Sequence, residues 1–460
     1  MGSEAPSPPK FSYRISHQLA AGLIFLVIFI IATSFAVIWL EVRPKLVSLS
    51  LESQINLGQK ISLALEQELH EARGIAMSLA AAASTLPNEG RSETLTKIVP
   101  QMIQPPGQKM MYAGGGVWPE PYAFDSKRQR DSYFWAHDER GALVRLDDYN
   151  APDGRGHHNE EWYVPVAALN KSVYWSKSYT DPYSQQPMVT CAAPMLHDGK
   201  FIGVATADLT LAGVSEALNQ VITGMNAYAF IVDRNNRFIA FPTLGFDVSR
   251  TQVYRANTAF QYFDDLVGAY PEFSVIGNNM KAVDDALFSA LEQQKPEYLP
   301  LVAQLAAQSY QIEEDEAKRL VANYWWQVRT LSASPKPLSA FDIKGDVLLG
   351  GDARGFIYQM PSTSWRIVVV FESAAYGAIS DAVSQKLFGS VLLSSIVFGA
   401  IGLIFLKASV LTRIHRTIRT LREPSGSTGS RSVMLAYDKA DELGMITYWF
   451  NQRIAQLEDN

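Results

Sequence analysis

Residues 188–209 decide the fold. They begin Met188-Val189-Thr190-Cys191-Ala192-Ala193-Pro194, pass through the turn His197-Asp198-Gly199-Lys200, and end Phe201-Ile202-Gly203-Val204-Ala205-Thr206-Ala207-Asp208-Leu209. Two apolar runs rich in small and β-branched residues around a polar Asp-Gly turn read as an antiparallel hairpin. Asp208 is the exception. It ends a strand that should otherwise be apolar, and a carboxylate in a buried strand needs a reason. Cys191, on the first of the two strands, is the only cysteine of the chain. It can form no internal disulfide and no Cys-pair metal site, so it reads as a small buried residue of the strand.

Strand signals continue outward from this hairpin. Residues 110–118 read as a strand containing Gly114, Gly115 and Gly116. No Gly-Lys-Ser/Thr follows, so this is no phosphate loop; such glycines let a ligand or another backbone approach closely. Residues 133–136 and 143–145 form a second hairpin, and 212–223 a helix. A second strand-rich unit starts at Ala227. Residues 228–233 and 238–241 pair around Asn235-Asn236, and 355–360 and 365–371 close the unit. A helical insertion with Tyr324, Trp325 and Trp326 occupies about 275–328. The two units share a layout and no sequence repeat. Ahead of them, over 45–85, Leu51, Ile55, Leu65, Leu69 and Leu79 recur on one helical face among Ala and Glu, which predicts a long helix.

The chain has 460 residues, 47% hydrophobic and 19% charged. That is too apolar for disorder. The net charge of −6 speaks against a nucleic-acid partner, because phosphate binding needs a basic surface. Residues 19–40 and 387–406 carry no charged side chain and have the length of membrane spans. The first run ends in Val37-Ile38-Trp39-Leu40 and not in small residues, which favours a retained helix over a signal peptide. The second holds Gly389, Ser390, Ser394, Ser395, Gly399 and Gly402, suited to close helix contact. Lys10 and Arg14 precede the first span, and Lys407, Arg413, Arg416, Arg419 and Arg422 follow the second. Positive residues stay inside, so both termini are expected in the cytoplasm and the segment 41–386 outside the inner membrane.

After the second span, Val410, Ile414, Thr417 and Leu421 form one seam. Leu443, Ile446, Phe450, Arg453 or Ile454, and Leu457 form another, beyond the polar stretch 424–429. Seams at spacings of three and four need partner helices, so a parallel four-helix homodimer is expected. Asp441-Glu442-Leu443-Gly444 followed by Phe450-Asn451 resembles the second helix of a HAMP linker, although the first helix lacks the membrane-proximal proline usual there. The external segment resembles a double Cache (dCache) sensor domain. The residues carrying that likeness are Trp162-Tyr163, Tyr179-Thr180-Asp181-Pro182, Pro194 and Gly203-Val204-Ala205-Thr206-Ala207-Asp208. It covers about 45–372. The resemblance implies an α+β membrane protein of a bacterial receptor type. A cytoplasmic tail (1–18) and a span (19–40) would lead into the sensor. The sensor would comprise the long helix and two PAS-like antiparallel-sheet modules, a distal one at about 90–215 and a proximal one at about 225–372. A second span (387–406) and HAMP-like helices (407–460) would follow.

Aromatic residues crowd the distal module: Trp118, Tyr133, Trp135, Trp162, Tyr163, Trp175, Tyr179 and Tyr183. Glu120, Glu160, Glu161, Asp181 and Asp208 interleave with them. Aromatic faces with a carboxylate make a cage for ammonium groups; an aromatic core with solvated acids is the bland alternative. In amino-acid-binding dCache domains, the resemblance implies, an arginine two positions before the Trp-Tyr pair holds the ligand carboxylate. A tyrosine lies five residues before that arginine, and aspartates matching Asp181 and Asp208 face the ligand amine. Here those two positions are Glu160 and Arg155. A carboxylate repels a carboxylate. The expected ligand is therefore an amine, a polyamine or a quaternary amine in preference to an α-amino acid, with Glu160 or Glu161 meeting a second positive centre. Trp118, Tyr133, Trp135, Glu160, Glu161, Trp162, Tyr163, Trp175, Tyr179, Asp181 and Asp208 are the expected binding set.

No cofactor is expected. His157-His158 near acids has no unifying metal-ligand spacing, and no nucleophile–base set can be assembled, so the chain is not expected to be an enzyme. The expected role is a transmembrane sensor whose ligand biases two arrangements of the distal module. A cytoplasmic output domain or a separate signalling protein would read that bias. A two-pass periplasmic scaffold or polysaccharide chain-length regulator is the competing class; it predicts a mostly helical external segment.

Overall fold

The computed structural model describes residues 14–104, 112–138, 140–169, 173–241, 262–293, 295–330, 336–422, 434–435 and 442–458. The chain divides into two compact units, Leu49–Gly377 and the paired segments Met1–Ser48 and Ala378–Asn460.

In the first unit, helix α2 (Arg43–Thr85) buries Ile61, Leu65, Leu69, Ala72, Ala76, Leu79 and Ala83. Steps of three and four put these on one face. Against that face lie two antiparallel sheets. The distal sheet takes β1 (Tyr112–Pro119), β2 (Tyr133–His137), β3 (Leu143–Leu146), β4 (Tyr174–Trp175), β5 (Tyr179–Thr180), β6 (Pro187–His197) and β7 (Lys200–Thr210). Their order is β3-β2-β1-β7-β6-β4, with β5 also on β6. The proximal sheet takes β8 (Ala227–Val232), β9 (Phe238–Ala240), β10 (Ser339–Asp346), β11 (Gly351–Gln359) and β12 (Arg366–Glu372), in the order β10-β11-β12-β8-β9. One apolar core joins α2, α3 (Arg91–Ile103), α5 (Leu211–Ile222) and the inner faces of both sheets. Tyr358 of β11 shows how close the contact is: its hydroxyl donates to the Ile55 carbonyl at 3.0 Å, and a Cβ on Gly58 would strike its ring.

The decisive hairpin is β6–β7, with Thr190 opposite Asp208 and Cys191 opposite Ala207; Cys191 is fully buried. The three glycines lie in β1, between β2 and β7. A Cβ at any of them would run into a carbonyl oxygen of a neighbouring strand, from Trp135, Thr206 or Tyr133. They admit another backbone. Two antiparallel sheets stand at the centre of this unit, where the scaffold class predicts a mostly helical segment.

The insertion is larger than its pattern suggests. It comprises α6 (Phe263–Ala269), α7 (Ser274–Glu292), α8 (Lys295–Gln308) and α9 (Glu314–Thr330). It packs on both modules. Leu291, Tyr298, Val302, Leu305, Ile312, Leu320 and Val321 join the distal cluster around Trp118, Trp162 and the short helix α4 (Val164–Leu169). Phe263, Leu266, Ile276 and Met280 cover the outer face of the proximal sheet. The side chains of Trp325 and Trp326 lie outside the described residues.

In the second unit, α1 (Arg14–Val37) and α10 (Ser373–Phe405) hold 18-residue windows apolar enough to cross a membrane. They touch at glycines: a Cβ on Gly399 would meet Val27, and one on Gly402 would meet Leu23. The expected small-residue contact is therefore present. Helices α11 (Thr412–Arg422) and α12 (Glu442–Glu458) follow. Asn451 exchanges two 2.8 Å hydrogen bonds with the backbone of Leu435. Asp441 and the stretch 424–429 lie outside the described residues.

Candidate ligand-binding site

Strand periodicity sorts the expected residues onto two faces. Val117, Tyr133, Trp135, Trp175, Ala205 and Ala207 belong to the core against the helices. Trp118, Phe134, Ala136, Trp162, Tyr163, Tyr174, Ala192 and Val204 form the cluster on the opposite face. Tyr133, Trp135 and Trp175 are thus not part of one cage with the others. Tyr133 and Trp135 lie under the Arg145 guanidinium, 5.2 and 5.5 Å from their ring centroids. Trp175 meets Trp365 edge-on at 5.2 Å. A pattern of aromatics is blind to this sorting until the register is known.

The outer face is a nest of rings and acids. Trp118 packs on Trp162 at 4.8 Å and on Tyr149 at 5.1 Å, and its indole donates to Thr206 Oγ1 at 2.9 Å. Tyr149 meets Tyr183 edge-on at 4.5 Å. Around them stand three buried carboxylates, and each has a different arrangement of donors. Asp181 Oδ2 accepts the Tyr149 hydroxyl at 2.9 Å, and its Oδ1 accepts the amides of Tyr183 and Ser184 at 3.1 and 2.7 Å. Asp208 Oδ1 accepts the Thr190 hydroxyl at 2.9 Å, and Thr190 in turn meets the Tyr179 hydroxyl at 2.7 Å. Glu160 Oε1 accepts the Tyr310 hydroxyl at 2.7 Å.

Burial is the main force on two of these groups. It pushes Glu160 up to about 7 against the Tyr310 hydrogen bond, with the Asp181 charge adding to the rise. It pushes Asp208 up to about 7, again with Asp181 adding, against the Thr190 hydrogen bond. Among the described residues no lysine or arginine bonds to Glu160, Asp181 or Asp208. Trp162 Nε1 is buried with no acceptor.

Glu161 is a different kind of acid. It takes the Arg234 guanidinium, the Tyr174 hydroxyl and, at 3.3 Å, the Lys177 amide. Arg234 also reaches Glu316 at 3.2 Å, and Lys177 closes the network onto Glu316 at 2.8 Å. Of the two glutamates open on sequence grounds, Glu160 therefore faces the rings without a cation, and Glu161 ties the modules together. Tyr163 is buried in the same cluster. Its hydroxyl donates to Glu120 at 2.8 Å and its ring packs on His157 at 5.5 Å. His157 is held neutral by burial, down to about 4, and lies 2.8 Å from the Pro119 carbonyl.

Sequence reasoning missed Tyr149, Phe134 and Tyr310. Tyr149 and Phe134 carry no local signal beyond being aromatic. Tyr310 bonds a residue 150 positions away, from an element whose docking no pattern shows.

Residues 100–216 match the family described as methyl-accepting chemotaxis protein-like, first PDC sensor domain. The methyl-accepting chemotaxis protein TlpB of Bacillus subtilis (strain 168) is 31% identical over 110 residues, which are 24% of this chain and 16% of TlpB. McpC of the same organism is 29% identical over 92 residues, 20% of this chain and 14% of McpC. The matched segment thus spans about a sixth of these curated relatives or less. Among solved structures, the ligand-binding domain of the Pseudomonas aeruginosa PAO1 amino-acid chemoreceptor PctB, in complex with L-Gln, has a TM-score of 0.39 at 13% identity. It covers 72% of this chain and 95% of that one. The ligand-binding domain of the Campylobacter jejuni chemoreceptor Tlp3 with L-valine has a TM-score of 0.38 at 12% identity, over 73% and 97%. By the family match and the curated relatives, the distal module is similar to the first sensor domain of methyl-accepting chemotaxis proteins.

Proposed function

We propose that this protein is a membrane sensor whose distal module binds a small organic cation, an amine, polyamine or quaternary amine, on the outer face of its sheet. The carrying observation is the uncompensated acid set. Glu160, Asp181 and Asp208 are buried among Trp118, Tyr149, Trp162, Tyr179 and Tyr183, and no described lysine or arginine is ion-paired with them. A buried carboxylate without a cation is costly. A ligand ammonium offsets that cost and gains the faces of the rings. Glu160, where the dCache resemblance implies an arginine, disfavours a ligand carboxylate at that end.

In this reading ligand uptake shifts the sensor between two arrangements, and the helices flanking it pass the bias through a HAMP-like linker in a homodimer. A cytoplasmic output then reads it, with both ends of the chain on the inner side of a bacterial inner membrane.

The test is titration calorimetry on the full chain in nanodiscs with putrescine, choline, α-amino acids and dicarboxylates. Saturable uptake of putrescine or choline, lost in Asp208→Asn, is the expected result. Uptake of carboxylates alone overturns the amine and keeps the sensor. No uptake by any of the four classes moves the reading to a scaffold or to sensing through another protein.

A further inference from the structure

The α8–α9 turn of the insertion, residues 309–313, reaches the distal module beside the three acids. Ser309 Oγ donates to the Asn159 carbonyl at 2.8 Å. Gln311 Oε1 accepts the Glu161 amide at 2.9 Å, and its Nε2 donates to the Tyr310 oxygen at 3.0 Å. Lys177 Nζ donates to the Gln311 carbonyl at 2.7 Å. The next residue, Ile312, is buried in the cluster that holds Trp118 and Trp162. The turn is therefore fastened by polar bonds on one side and an apolar anchor on the other.

Tyr310 is the part of the turn that touches the site. Because Gln311 already donates to its oxygen, the hydroxyl hydrogen is directed at Glu160 Oε1, 2.7 Å away. The Arg155 guanidinium lies 4.7 Å from the centroid of the Tyr310 ring. Hydrogen bonds to a carboxylate favour its charged form.

We infer that Tyr310, delivered by the proximal module's insertion, is a positioning residue of the distal ligand site: it orients Glu160 and holds it as a carboxylate toward the bound cation. The inference rests on the cationic-ligand reading above and adds what that reading lacks, a residue from the other module that sets specificity. It also gives the insertion a function, since undocking the turn would remove the donor and weaken the site. The groups facing Glu160 are Tyr310 and Gln311 from the insertion, Asp181 and Glu161 from the distal module, and Tyr149, Tyr179 and Tyr183 across the cage. Of these, the acids oppose its ionisation and Tyr310 and Gln311 favour it.

The experiment compares wild type, Tyr310→Phe, Glu160→Gln and the double variant, all as full chains in nanodiscs. Calorimetry with putrescine between pH 6 and 8.5 is the first readout. Tyr310→Phe should weaken uptake about tenfold at pH 7 and move the half-binding pH up by roughly one unit. In the Glu160→Gln background the same change should do nothing. Unchanged affinity and pH profile in Tyr310→Phe overturn the inference. The second readout needs no ligand: infrared titration of the protonated carboxyl band. Tyr310→Phe should raise that band at pH 7, and Glu160→Gln should remove the difference. An unaltered band overturns the inference, whereas an altered band without putrescine uptake upholds the Tyr310–Glu160 coupling and overturns the amine reading alone.

Discussion

Asp284 in the proximal module and Asp208 in the distal one are both buried carboxylates, and their surroundings differ in kind. Asp284 is bonded by the fully buried Arg366 guanidinium, by Arg319 at 3.1 Å and by the Asn236 amide at 3.1 Å. At Asp284 the proximal module meets the charge with its own arginines, whereas its buried Asp346 has, like Asp181, a tyrosine hydroxyl and two backbone amides. Asp208 has hydroxyls and a second acid nearby, and no described cation. The same fold of sheet and covering helices thus carries a closed electrostatic system at Asp284 and an open one at Asp208. A closed system contributes to stability and leaves a ligand little to do. An open one carries a desolvation cost that a proton or a positive charge relieves.

The largest effect that would sharpen this comparison is on the closed side. Arg366→Met leaves Asp284 buried with one weaker cation, and the full chain should lose about 3–5 kcal/mol in urea unfolding. A loss below about 1 kcal/mol would mean that the proximal acid is as open as the distal one. On the open side, Asp208→Asn should act in the opposite direction. Removing an uncompensated charge while keeping the shape should leave the ligand-free thermal midpoint unchanged or raise it by a few degrees, while putrescine uptake falls more than about tenfold.

The pH dependence follows from the same contrast. Glu160 and Asp208 both titrate near 7 in the folded chain, above their ordinary values. The folded state keeps protons that the unfolded chain has released, so the stability they contribute is full at acid pH and lost as the pH rises through about 7. His157, pushed down to about 4, works the other way, and its contribution is lost as the pH falls from about 6.5 to 4. Above pH 6.5 the two carboxylates therefore govern. The ligand-free midpoint should fall between pH 6.5 and 8, the fall should vanish in Glu160→Gln/Asp208→Asn, and a bound cation should reverse it. The smallest effect tests the sorting of faces. Trp135→Phe, on the helix side, should cost about 1–2 kcal/mol of stability and leave putrescine affinity within about twofold; a loss of affinity equal to that of Asp208→Asn would put Trp135 back in the site.

Much of the fold was readable because the signals are local. The Asp-Gly turn and the apolar runs of 188–209 place β6 and β7 with little ambiguity, and Asp208 stands out against its neighbours. The hairpins at 133–146 and 228–240 are marked in the same way. Strand β10 was not marked. Ser339–Asp346 is half exposed and carries polar residues, so its pattern is weak, and its place at the sheet edge comes from pairing with β11. Helix α3 likewise has only three buried residues, Leu95, Val99 and Ile103. The candidate site was half readable. Its acids and rings were visible as residue types, but Tyr133, Trp135 and Trp175 were grouped with residues that face the other way.

By itself the sequence determined the apolar runs, the alternation of the strands, the long helix and the excess of acids and rings in the distal half, because each depends on neighbours a few positions apart. Tertiary structure alone decided which acids are compensated. Glu160 and Glu161 are adjacent and chemically identical, yet one meets Tyr310 and the other Arg234, from segments far along the chain. Burial and partner choice are long-range properties, and they, more than residue type, set whether a carboxylate is ion-paired or left with neutral donors.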